Sequence, residues 1–454
     1  YPNPEGLPVL EKIESVHVRS SARQVGDFSC SNPLFNDIHR SIDWAVRSNL
    51  AHVLTDCPHR EKMGWLEVSY LMGPSISRRY DLSRLYAKVT RDIRDSQGDD
   101  GAIYTVAPLY PKFKGGFRYT PEWGAAGVII PWQLYRWYGD TRILQENLQS
   151  MKAFVDYMKN TATDLVPVPG LGDWYDYGHG KGNGPSKFTP PTLTAMATFY
   201  RCADLVAKAA EVLGENVDAE AYGVLADRIR SKFNEKFYVG NGQYKNNGSC
   251  QTANAMALTT GLCEPDQEQA VLHAILADLE NRGYQQTAGD VGFHYLMEAL
   301  GRYGCGEVVG KILNRREEGS YGWIIDRGWS ALPEAWDATT SASMNHCMLG
   351  HAQQWFYCDL LGIRQAEDSV AFKHIVIKPA FEAGVEQVTG FYDSVNGRIS
   401  VDWMQTASQV RLSVTIPANS MATDCVPAQA VDTITETGRP AHKAKGVSFL
   451  RMEK

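Results

Sequence analysis

The feature that most constrains this chain is a change of period. From about Asn32 to Gly362 the apolar residues recur every three or four positions, in stripe after stripe; after about Val370 they recur at every second position. Phe35, Ile38, Ile42 and Ala45 form the first stripe, and Asn32 and Pro33 ahead of it supply a capping side chain and a proline suited to the first helical position. Leu82, Leu85, Val89 and Ile93 repeat the spacing, as do Leu148, Met151, Phe154 and Met158, and then Met196, Phe199, Ala203 and Val206. Roughly eleven or twelve such segments, each near the usual helix length and joined by Gly- and Pro-rich loops, can pair into hairpins and close into a double ring. The expected architecture is therefore mainly α, an (α/α)6 toroid over residues 31–365. Residues 1–30 read as an extended linker. In the last part, 366–454, Ile399, Val401 and Trp403 alternate, as do Val410, Leu412, Val414 and Ile416, and Asn396-Gly397 is a type I′ hairpin signal. A small antiparallel β-sandwich is expected there.

Composition removes several classes of function. With 45 basic and 52 acidic residues the net charge is −7, and no Lys/Arg run is present, so nucleic acid is not an expected partner. No apolar run approaches the roughly 20 residues that span a bilayer, so no membrane partner is expected. The nine Cys are scattered singly without a CxxC pair, which reads as buried thiols rather than a zinc site. Eleven Trp and 22 Tyr suit a binder of sugar rings, whose apolar faces stack on aromatic ones, and equally suit a large core.

Chemistry-bearing residues concentrate in four loops: Asp56–Trp65, Tyr119–Gly124, Gly172–Asp176 and Gly328–Asp337. Glycosidic hydrolysis needs one carboxylic acid to protonate the leaving oxygen and one carboxylate to activate water or attack carbon. Glu61 and Glu334 are the candidates, each with a Trp nearby in sequence that can dry the site and raise a carboxyl pKa. Asp56, Asp173 and Asp176 can accept from sugar hydroxyls, or simply cap a turn. Arg60 can pin a carboxylate, either a substrate's or Glu61. Glu122, Trp123, Trp65, Trp174 and Trp336 complete the candidate lining. Of the lone histidines His59, His179 and His346, which ordinarily serve as hydrogen-bonded structural residues, His346 is retained as a substrate contact.

DCPHREKMGW resembles the DCP-x-R-E-x-x-G-W signature of glycoside hydrolase family 78, the α-L-rhamnosidases. The likeness continues through DGAIYTVAP, PEWGAAGVIIPWQLYRWYGD, GDWYDYG, QTANAMAL, TAGDVGFHYLMEAL, GWSALPEAWD, SMNHCMLGHAQQWFY and IPANSMAT, from about Phe28 to Met452. It implies an exo-acting, inverting hydrolase of terminal L-rhamnose on plant-type glycans, with an (α/α)6 domain followed by a β-sandwich. Glu61 would be the general acid, Glu334 the base that activates water, Asp56 and Asp173 neighbours of the rhamnose, and the tryptophans its walls. Inversion sets the two carboxyls about 6.5 to 9.5 Å apart. No cofactor is needed, although loop aspartates can hold a structural calcium. Polymeric glycans stay outside cells, which favours an exported enzyme, and the likeness places further β domains ahead of the chain.

Two motifs depart from the family pattern. The Asp expected after Gly64-Trp65 is absent, the run reading Leu66-Glu67-Val68, and the base loop keeps its Glu and final Trp but changes the residues before them. Two alternatives stay open. One is a lyase acting on rhamnosyl-glucuronate, with Arg60 or Arg118 neutralising the uronate and His59, Tyr119 or Tyr321 taking a proton. The other is a glycan-binding toroid without catalysis.

Overall fold

Asn32 caps the first helix through its side chain, which accepts from the Leu34 N–H at 3.0 Å. Pro33–Asn49 then runs 17 residues with Phe35, Ile38, Ile42 and Ala45 all buried, as their spacing predicts. The structure, a computed structural model, describes residues 10–180, 184–338 and 343–452. Among them are ten α-helices of eight residues or more and five shorter ones, where the periodicity predicts eleven or twelve.

The long helices pair along the chain. Ala126–Tyr138 packs on Arg142–Thr161, Pro191–Leu213 on Asn216–Phe237, Gln251–Thr260 on Glu268–Asn281, and Gly292–Arg302 on Gly306–Leu313. The two members of a pair differ in burial. Pro191–Leu213 buries 14 of its 23 residues and its partner six of 22; Gln251–Thr260 buries nine of ten and its partner four of 14. A helix apolar on most sides must lie inside, and one with a single narrow stripe covers it from outside. The inner members touch in succession. Leu66–Leu71 meets Ala126–Tyr138, which meets Pro191–Leu213, then Gln251–Thr260, Gly292–Arg302 and Ala352–Trp355, and the last touches Gly73–Ser77, which meets Leu66–Leu71 again.

The β region is mainly antiparallel. Gly26–Cys30, Gln387–Ser394, Gly397–Gln405 and Val410–Thr415 form a four-stranded antiparallel sheet in that order. Part of the segment expected as a linker is thus an edge strand of the C-terminal sheet. A second sheet pairs Ile363–Gln365 antiparallel with His374–Ile377, and the latter parallel with Met421–Asp424, the one parallel pairing in a region expected to be antiparallel throughout. Ser394 pairs with Gly397, so the hairpin connection is Val395-Asn396 rather than Asn396-Gly397. Neither connecting residue has positive φ, which excludes the expected type I′ turn. Gly397 alone does, at +126°, where a Cβ would sit 2.9 Å from Pro417. All nine cysteines are free, six of them buried.

Trp403 joins the two parts. Fully buried, it packs its ring edge on Phe381 at 5.0 Å and donates from Nε1 to the Leu360 carbonyl at 2.9 Å, where the helical region ends. Trp403→Ala removes both the buried ring and a partnered donor, and should lower unfolding stability by about 3–5 kcal/mol, measured by chemical denaturation.

Candidate active site

Backbone pairing shapes the first loop. Asp56 N–H donates to the Met63 carbonyl at 3.1 Å, and its Oδ1 accepts from Met63 N–H at 3.0 Å, so 57–62 folds into a tight excursion with Lys62 at φ +60°. The chain then enters a short bridge, Trp65 opposite Val106, with Ala107 N–H donating to the Gly64 carbonyl at 3.1 Å. A Cβ at position 64 would lie 2.4 Å from the Ala107 carbonyl oxygen, which is why glycine precedes this tryptophan. Glu61 accepts from Trp65 Nε1 at 2.7 Å, and the indole stacks on Phe113 at 5.1 Å. Glu61 is therefore oriented by a nearly buried ring while its own surface stays exposed.

The second glutamate is held from both sides. Glu334 N–H donates to the Ser343 carbonyl at 2.8 Å, and Ser343 N–H returns a bond to Glu334 Oε2 at 2.7 Å. His346 N–H donates to the Leu332 carbonyl at 2.9 Å, and its Nδ1 accepts from Met348 N–H at 3.2 Å. Burial drives the pKa of this imidazole down to about 4, so it is neutral at working pH. Trp336, 2% exposed, meets Phe293 and Tyr321 edge-on and donates to the Ala288 carbonyl at 3.3 Å.

The third loop is docked by Asp173. This fully buried carboxylate accepts from Gly289 N–H (3.0 Å), Val291 N–H (3.1 Å), Gly292 N–H (2.7 Å) and the Thr252 hydroxyl (2.7 Å). Burial, with the charge of Asp176 next, still pushes its pKa up to about 6. Asp176 is likewise occupied by Lys187 N–H, Phe188 N–H, Ser186 and His179. Between them Trp174 meets Phe117 edge-on at 5.5 Å, and Tyr175 takes a left-handed backbone, φ +58°, that few large residues adopt outside functional sites.

Electrostatics bring the loops together. The carboxyl of Glu61 has its pKa raised by burial first, then by the charge of Asp56, and further by that of Glu334; its bond from Trp65 and the Arg60 cation oppose this. Glu334 is raised by burial, opposed by the Ser343 N–H and Arg60. The Tyr175 phenol is raised by burial and then by Glu334, Asp290 and Glu61, with Arg60 opposing. Glu61, Glu334, Arg60 and Asp290 thus all act on Tyr175, with Asp56, Trp65, Trp174, Trp336 and His346 on the same or adjoining loops. Glu122 and Trp123 lie deeper. Glu122 is fully buried, bonded to the Thr194 hydroxyl, and pushed up to about 7 chiefly by burial; Trp123 is 2% exposed. Tyr175 lies in a loop the sequence singles out but is given no role there, and Asp290 and Glu67 are not among the candidate site residues; only the contacts expose their surroundings. Among the described residues no group of three or more His, Cys, Asp or Glu is arranged to hold a metal ion. No helix of the structure is long and apolar enough to cross a membrane.

Residues 23–360 match the family model of the bacterial alpha-L-rhamnosidase 6 hairpin glycosidase domain, and 362–440 that of the bacterial alpha-L-rhamnosidase C-terminal domain. An alpha-L-rhamnosidase of Streptomyces avermitilis is 29% identical over 443 residues, covering 95% of this chain and 41% of that protein. The solved alpha-L-rhamnosidase from Dictyoglumus thermophilum superposes with a TM-score of 0.86 at 31% identity, over 94% of this chain and 48% of that one. The Streptomyces avermitilis alpha-L-rhamnosidase solved in complex with L-rhamnose gives 0.83 at 29% identity, over 91% and 40%. The chain spans about half the length, or less, of these relatives. With both of its regions matched in order, the chain belongs to the bacterial α-L-rhamnosidase family.

Proposed function

We propose that this chain is the catalytic part of an exo-acting, inverting α-L-rhamnosidase that releases terminal L-rhamnose from plant-type glycans or glycosides, on an (α/α)6 toroid followed by a β-sandwich. The observation that carries the reading is that the charge of Glu334, far away in the chain, acts on Glu61, with Arg60 opposing the pKa shifts of both. The succession of inner-helix contacts from Leu66–Leu71 round to Gly73–Ser77, which meets Leu66–Leu71 again, supports closure of the ring, and the likeness to an alpha-L-rhamnosidase solved with L-rhamnose supports the sugar.

The two carboxyls are not equivalent, and the difference assigns their roles. Each accepts a hydrogen bond, from Trp65 or from Ser343, and each faces Arg60, but only Glu61 is also raised by two acids, Asp56 and Glu334. Glu334 therefore ionises first and Glu61 keeps its proton. Glu61 gives that proton to the leaving oxygen as the glycosidic bond breaks. Glu334 takes one from the water that attacks the anomeric carbon on the opposite face, so the sugar leaves as the inverted anomer. Trp65, Trp174 and Trp336 wall the sugar, and Asp56, Arg60 and His346 contact it. Asp173, Asp176, Glu122 and Trp123 hold these walls from behind, because their polar groups are already engaged or buried.

Glu61→Gln and Glu334→Gln should each lower kcat by ~10²–10⁴-fold on a rhamnosyl disaccharide, with unchanged circular dichroism. Turnover close to wild type in either variant removes that residue from the mechanism. Activity should be bell-shaped in pH. It falls on the acid side as Glu334 is protonated and on the alkaline side as Glu61 ionises, both limbs lying above the ordinary carboxyl range. On an aryl rhamnoside whose leaving group needs no proton, Glu61→Gln should lose its alkaline limb. Anomer-resolved NMR should show β-L-rhamnose first; retained configuration, or an ultraviolet-absorbing unsaturated uronate from a rhamnosyl-glucuronate substrate, rejects the mechanism.

A further inference from the structure

We infer, on the rhamnosidase reading above, that Asp290 is a further substrate-contacting residue of this pocket, its carboxyl set into the wall between the Trp174 and Trp336 loops. The segment that carries it is fixed on both sides. Asp290 N–H donates to the Trp174 carbonyl at 2.7 Å, and two residues earlier the Ala288 carbonyl accepts from Trp336 Nε1 at 3.3 Å. Its neighbours Gly289, Val291 and Gly292 are tied to Asp173. A Cβ at Gly289 would come within 2.1 Å of the Trp174 carbonyl oxygen, and one at Gly292 within 2.1 Å of the Thr252 hydroxyl. At 289 and 292 the backbone passes through space that admits no side chain, whereas position 290 between them carries a carboxyl.

That carboxyl has no internal reason to be there. Asp290 is 3% exposed, its Oδ1 has no hydrogen-bond partner, and it makes no ion pair with Lys, Arg or His among the described residues. A buried polar oxygen without a donor is a net cost to folding, and native structures rarely retain one without a function. The charged groups acting on it are all acids, Glu334, Glu67 and Asp173, and with burial as the largest cause they hold its pKa well above the ordinary value. The His351 ring, packed at its backbone, is held neutral by burial and adds no cation. In its protonated form, which the upward shift favours, the carboxyl both donates and accepts, and so matches a sugar hydroxyl, which does the same. It is poorly suited to be a second base, and so differs in role from Glu334. The ligand chemistry it fits is the hydroxyl edge of the pyranose held between the two tryptophans. Glu67, 4% exposed with Oε2 also unpartnered, lies close enough to act on Asp290 and backs it from the Trp65 side.

The test uses Asp290→Ala and Asp290→Asn in the chain as it stands, with an aryl rhamnoside for kinetics and free L-rhamnose as the binding probe. Asp290→Ala should raise KM and weaken inhibition by L-rhamnose by ~10- to 100-fold, with a smaller effect on kcat. Its melting temperature should not fall, because an unsatisfied buried group has been removed. Asp290→Asn, which keeps a donor and an acceptor in the same shape, should recover most of the lost affinity. Wild-type KM and L-rhamnose affinity in the Ala variant overturn the inference, as does an Asn variant as impaired as Ala, which would show that an ionised carboxylate is needed. Should Ala prove insoluble, Asp290→Ser, a smaller donor–acceptor, is expected to fall between Ala and Asn in L-rhamnose affinity, and wild-type affinity there is equally damaging. Wild-type protein that neither cleaves rhamnosides nor binds L-rhamnose overturns the rhamnosidase reading itself, a result distinct from any pattern among the variants.

Discussion

One buried carboxylate assembles the site. Asp173 gathers four donors, three of them amides of the segment from Gly289 to Gly292 that enters the Gly292–Arg302 helix and the fourth from the Gln251–Thr260 helix. Charge-assisted bonds of this kind are roughly twice as strong as neutral ones. All four lone-pair directions of the carboxylate are used, so its contribution is to hold two loops and two helices in one register. Trp174 and Tyr175 follow it directly in sequence, and Asp290 lies inside the span of amides it binds. Two walls of the candidate pocket are therefore tied to it, Trp174 through the chain and Trp336 by a bond to the segment Asp173 holds.

From that framework follows an uneven distribution of charge. Asp56, Glu61, Glu67, Asp290 and Glu334 crowd a space where Arg60 is the cation acting on both glutamates. So many acids cannot all ionise, and burial decides among them. The deepest, Glu67 and Asp290, have their pKa pushed well above the ordinary carboxyl value, chiefly by burial, while Glu334 has a backbone donor and a cation to stabilise its charge. Glu61 stands between, with one bond from Trp65 and two acids against it. A proton donor and a proton acceptor arise from chemically identical side chains because their surroundings differ, as general acid–base catalysis requires.

Periodicity made the helices legible, since each buries a stripe that the spacing displays, and the Asn32 cap is a local event needing nothing beyond its neighbours. It could not show which helices lie inside. Gln251–Thr260 buries Gln251, Thr252 and Asn254 because other loops supply their partners, and no pattern in the sequence carries that information. The Asn396-Gly397 signal found the right hairpin and the wrong turn, because pairing of Ser394 with Gly397 leaves Val395-Asn396 as the connection. Glu61 and Glu334 were legible through the chemistry their loops imply and a family resemblance. Their approach to one another depends on tertiary closure and was not.

The departure after Trp65 acquires a structural meaning in this light. Where the family pattern expects an aspartate, Val68 is fully buried in the core, and Glu67 beside it takes an interior position at the start of the Leu66–Leu71 helix. The sequence alone gives no reason to connect this with a distant aspartate. Yet the charges of Glu67 and Asp290 act on the same volume, and Asp290 arrives there on a segment whose glycines are dictated by contact with the Trp174 loop and Thr252. The acidic character of the pocket is thus carried by different stretches of chain than the motif predicts. Where loops contributed by many helices meet, a wall residue lost from one loop can be matched by another, because what a ligand meets is the shape and chemistry of a site and not the order of the residues that line it.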